Sequence, residues 1–122
     1  MRIGERATLH RRFCAADLAA FAALSGAGPT AGRVPDPLIA GLFSQLLGTR
    51  LPGPGSGWLK QELNHLATAL EGERLHAEVE VTRLRPEKNL MDLMCICTGN
   101  DGRLLCHGRA LMLLQPRSAL QS

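Results

Sequence analysis

Aromatic side chains are nearly absent from this chain. They make up 3% of 122 residues, namely Phe13, Phe21, Phe43 and Trp58, and there is no tyrosine. The core must therefore be built from Leu, Ala, Val, Ile and Met, and serial base stacking is excluded as a binding mode. An excess of one charge is also missing. Fourteen Lys and Arg stand against eleven Asp and Glu, a net +3. Arg6, His10, Arg11 and Arg12 are the nearest thing to a basic cluster, so the charges read as a solvated surface and no nucleic-acid partner is expected. No apolar run is long enough to span a membrane, and Met1 to Arg6 lacks the apolar core of a signal peptide. The expectation is a cytoplasmic protein without a membrane partner. The four cysteines, Cys14, Cys95, Cys97 and Cys106, match neither a zinc spacing nor CxxC. Cys95 and Cys97 would share one face of a strand and act as small buried apolar residues. No two histidines have metal-ligand spacing, and the glycine-rich loops around Gly28, Gly32, Gly53 and Gly55 show no phosphate-binding pattern. Neither a metal nor a cofactor is expected.

What is present is a clear order of elements. Ala7 to Phe13 alternates as a short strand. Ala15 to Ser25 reads as a helix with Leu18, Phe21, Ala22 and Leu24 on one side, ended by Gly26. Gly26 to Asp36 is a loop by composition. Asp36-Pro37 reads as N-cap and first helical position. The helix that follows, Pro37 to Leu47, is apolar nearly all round and so should be buried, with Gly48 at its end and LPGPGSG as connector. Four strands follow: Trp58–Leu66, Leu75–Leu84, Leu90–Thr98 and Leu104–Leu114. Asn100-Asp101-Gly102 is a hairpin turn between the last two. A buried helix followed by an antiparallel meander implies an α+β domain whose sheet wraps around that helix, which is the hot-dog fold. One domain, residues 1–115, with a loose tail over 116–122, is expected. An open sheet leaves unpaired edges, so a dimer is expected as well.

Several segments resemble one family closely. Leu42-Phe43-Ser44-Gln45-Leu46-Leu47-Gly48 with the turn Leu51-Pro52-Gly53-Pro54-Gly55 is similar to the central helix and following turn of the MaoC-like (R)-specific enoyl-CoA hydratases. Trp58-Leu59-Lys60-Gln61-Glu62-Leu63 resembles their next strand, and Ala77 to Thr82 their long central strand. Phe21-Ala22-Ala23-Leu24-Ser25-Gly26 fits their F-A-x-L-S-G-D. The likeness covers about residues 4 to 114, and the LPGPG turn is its most specific part. It implies a coenzyme A or carrier-protein acyl thioester as ligand, which a weakly basic surface would suit. It also implies acyl-thioester contacts from Gly41, Phe43, Ser44, Trp58 and Gln61.

The family's chemistry belongs to D-x-N-P-x-H after the Ser-Gly, whose Asp and His activate the water that adds to a trans-2-enoyl thioester. Here Ala27 stands at the Asp, and Ala31 or Gly32 at the His. Neither can exchange a proton. The stretch leading to the family's I-V-H-G-M is shorter, and Pro35, Asp36 and Pro37 stand for its His, Gly and Met. Proline has no N–H to offer an oxyanion. The resemblance thus implies a hydratase relative without its catalytic dyad, a non-catalytic acyl-thioester-binding or partner subunit. It would form a homodimer, or a heterodimer with an intact hydratase. The alternative is an active hydratase or thioesterase using Asp36, His65 or Glu62. Asp36 reads either as N-cap or as replacement base, and His65 either as a partly buried surface residue or as an acid–base group. Alternation places Glu62 opposite His65, so those two form no dyad. His76, with Glu78 and Glu80, is expected in solvent. Ser44 is expected to bond back to the helix backbone.

Overall fold

The computed structural model describes residues 1–26 and 31–114. Ala27 and the expected tail from Pro116 to Ser122 lie outside the described residues. The elements are β1 (Arg6–Arg11), α1 (Ala15–Ser25), β2 (Arg33–Val34), α2 (Asp36–Thr49), β3 (Gly57–His65), β4 (Ala69–Leu70), β5 (Leu75–Arg85), β6 (Leu90–Thr98) and β7 (Leu104–Leu113), with a 3₁₀ turn at Pro86–Lys88. Five strands form one sheet in the order β1-β5-β6-β7-β3. Every neighbouring pair is antiparallel. The other two, β2 and β4, pair separately as a two-residue ribbon, with Arg33 opposite Leu70 and Val34 opposite Ala69.

Strands β5, β6 and β7 alternate over most of their length as the sequence predicts, whereas β1 does not. Ala77, Val79 and Val81 of β5 are buried, as are Met91, Leu93, Cys95 and Cys97 of β6 and Cys106, Ala110 and Met112 of β7. Most of these side chains are small, which lets a helix with bulky side chains lie close to the sheet. That helix is α2, which buries Ile39, Leu42, Phe43, Leu46 and Leu47 and packs against β5, β1 and β3. Cys95 and Cys97 share the core face as expected, and burial pushes both thiols up to about 12.

Four local expectations are corrected. Pro35, extended at φ −62° and ψ 146°, occupies the N-cap position, so Asp36 is already helical and its carboxylate caps nothing. The carboxylate still sits in the first turn, where the helix dipole favours it. Gly48 does not end the helix, which runs on to Thr49. In α1, Leu18 is buried but Leu24 is exposed, because a step of six residues leads round the helix rather than along one face. His76 is half-buried rather than in solvent. It lies directly across from His10 of β1, with ring centroids 4.5 Å apart, and its Nε2 is buried without a hydrogen-bond partner among the described residues. Burial, then Arg74, then His76 itself hold the His10 pKa below the usual value.

Candidate functional site

The head of α2 is where chemistry-bearing side chains meet. Asp36 opens the helix and His65 closes β3. Their Oδ1 and Nδ1 atoms are 3.4 Å apart, with 63% of the Asp36 side chain exposed against 23% for His65. The separation is that of an ion pair, but the directions do not make a hydrogen bond. The Nδ1 atom is buried and has no hydrogen-bond partner among the described residues. Both residues line an open cleft of about 460 Å³, bounded by Arg33 to Asp36 on one side and His65 to Thr68 on the other. The β2–β4 ribbon fixes this geometry. It ties Arg33 and Val34, just before the helix, to Ala69 and Leu70, just after the cleft's second wall.

Cys106 belongs to the same cluster and carries no signal in the sequence. It pairs across the strands with His65. Its thiol is pushed up to about 11, first by burial and then by the Asp36 carboxylate. It therefore stays protonated and is a poor nucleophile near neutral pH.

The structure separates Glu62 from this cluster. Its carboxylate lies 3.0 Å from Lys60 Nζ, and that ammonium, followed in effect by Arg109, holds its pKa low. Burial alternates along β3 so that Gln61, Leu63 and His65 are half-buried while Glu62 and Asn64 are exposed, as alternation predicts. Among the residues expected to contact an acyl thioester, Phe43 is wholly buried and Trp58 is half exposed. Gly41 is exposed on α2. The Ser44 hydroxyl donates to the Ala40 carbonyl at 3.1 Å, as expected. Gln61 has a buried Nε2 with no hydrogen-bond partner among the described residues. Among the described residues no group of three His, Cys, Asp or Glu side chains could hold a metal ion, and no helix is long and apolar enough to cross a membrane.

The architecture is that of a hot-dog protein. A hot-dog-like protein from Thermanaerovibrio acidaminovorans superposes with a TM-score of 0.74 at 15% identity, over 98% of this chain and 87% of that one. The (R)-specific enoyl-CoA hydratase of Aeromonas caviae is 39% identical in sequence, over 93% of this chain and 96% of the relative. The solved (R)-hydratase from A. caviae involved in PHA biosynthesis superposes with a TM-score of 0.87 at 37% identity, over 94% of this chain and 98% of that one. No family model matches the chain. On this similarity the protein belongs to the (R)-specific enoyl-CoA hydratase family. The alignment with the A. caviae hydratase runs over 128 residues, more than this whole 122-residue chain, so the relative holds extra residues within the matched span.

Proposed function

We propose that this protein binds acyl thioesters of coenzyme A or a carrier protein but does not hydrate them by the family's loop dyad. One observation carries the reading. Between Gly26 and Asp36 the sequence is Ala-Gly-Pro-Thr-Ala-Gly-Arg-Val-Pro, without one acid or histidine, and general acid–base hydration needs such a group within hydrogen-bond reach. The head of α2 supports it. An enolate oxyanion would meet the Asp36 carboxylate there, and Pro37 has no N–H to offer. The thioester would lie along α2 and β3, beside Gly41, Phe43, Ser44, Trp58 and Gln61. The chain would then serve as a binding subunit, in a homodimer or beside an intact hydratase.

The test uses the ultraviolet absorbance of crotonyl-CoA, with an intact family hydratase as positive control. The expected result is saturable calorimetric binding with no formation of 3-hydroxybutyryl-CoA. Loss of the enoyl band at an enzyme-like rate with 3-hydroxybutyryl-CoA as the product, identified by chromatography, would overturn the reading.

Pairing between chains is part of the same proposal. The edge strand β3 exposes Trp58 and Leu59, and an apolar edge of this kind invites a partner strand. Sedimentation at micromolar concentration should give twice the 13.1 kDa chain mass. A monomer that stays monomeric when an intact hydratase is added would refute it.

A further inference from the structure

Among the described residues, the acid and histidine in ion-pair contact at a cleft are Asp36 and His65. The contact joins residues 29 positions apart, so it is made by the fold. The Asp36 carboxylate lies 3.4 Å from Nδ1, which leaves the ring's other nitrogen as the candidate base. His65 lines a cleft large enough for the head of a thioester, and Arg33 contributes a cation to the same wall. The Cys106 thiol beside it is protonated, so the group to be activated is water.

We propose that His65, positioned by Asp36, is the general base for hydrolysis of an acyl thioester bound in this cleft. The proposal rests on the reading of the chain as an acyl-thioester binder and goes beyond it. His65 takes a proton from water while the water oxygen bonds to the thioester carbonyl carbon. The resulting oxyanion collapses, the C–S bond breaks, and its electron pair leaves on sulfur. The imidazolium returns its proton to that thiolate. One water and one thioester give one carboxylic acid and one thiol, with no oxidant or metal required.

The experiment follows free coenzyme A released from butyryl-CoA, which has no double bond to hydrate, by chromatography. Butyryl-CoA binding is measured in parallel by calorimetry. Release above the spontaneous rate is expected. It should fall roughly 10²- to 10⁴-fold in His65→Ala, the range for a lost general base, with binding retained. His65→Gln keeps more of the side-chain volume and should lose the rate equally, which separates lost chemistry from a folding defect. Asp36→Asn should cost less and lower kcat with KM unchanged, a split that a merely structural role would not produce. Glu62→Gln should leave the rate unchanged. Binding without release, or an unaltered rate in His65→Ala, overturns the proposal while the binder reading stands. No binding at all removes both.

Discussion

Gly108→Ala is expected to lower the stability of the protein by about 3–5 kcal/mol, the scale of substitutions that force backbone apart. Gly108 lies in β7, buried, with Leu63 of β3 on one side and Cys95 of β6 on the other. A Cβ added there would overlap the Glu62 carbonyl oxygen and lie 2.8 Å from the Glu62 carbonyl carbon and 2.9 Å from Leu63 Cα. Those atoms are backbone and cannot swing away like the end of a side chain. The strain has one outlet, which is movement of β3. That strand is an edge strand held by β7 alone within its sheet, and it carries His65 at its end. Small domains hold only about 5–15 kcal/mol in total, so the variant should sit close to unfolding at ambient temperature. Urea denaturation followed by circular dichroism measures the loss. A loss below about 1 kcal/mol would mean that the edge strand yields freely. In that case the butyryl-CoA hydrolysis rate should fall instead, because His65 moves with the strand.

The long elements were legible in the sequence because each repeats its period several times. Eleven residues of β5 and nine of β6 give enough alternations to set both the strand and its buried phase, and that phase placed Cys95 and Cys97 in the core. The Asn100-Asp101-Gly102 turn could be read because Gly102, at φ +83°, needs the conformation that glycine adopts without strain. The β2–β4 ribbon was not legible. Two residues per strand carry no period, and their pairing joins segments 36 positions apart. The start of α2 was misplaced by one residue for a related reason. Asp-Pro is a strong local start signal, but Pro35 just before it also holds the extended conformation that an N-cap needs.

Of the candidate site, the residues were legible and their meeting was not. Asp36 and His65 stood out singly, one for its place before a buried helix and the other as a histidine at a strand end. The 3.4 Å separation depends on how α2 crosses β3, which alternation does not encode. Alternation did separate Glu62 from His65, because both lie on one strand. Cys106 could not be singled out, since its importance is its position across from His65. The order of elements gave the fold expectation, the family likeness added the expected ligand class, and the absence of an acid or histidine between Gly26 and Asp36 spoke against loop-based hydration.

Phe43→Ala should cost about 3–5 kcal/mol, the usual range for truncating a buried phenylalanine. Phe43 is fully enclosed on the helix at the centre of the domain, and in a chain with 3% aromatic residues few other side chains have its volume. The sheet carries small residues such as Ala77, Cys95, Cys97 and Ala110 at core positions. They have no spare length with which to fill a void, so the cavity should persist. Phe43→Leu changes less volume and should cost under about 1.5 kcal/mol. That milder variant separates the two roles that Phe43 can have. If an acyl chain enters the core beside α2, Phe43→Leu should improve binding of longer acyl-CoA relative to butyryl-CoA, since the added space lies along its path. If Phe43 only packs the core, all chain lengths should bind as they do to the unaltered protein. Thermal unfolding of both variants and calorimetry across a series of acyl-CoA lengths would decide between these outcomes.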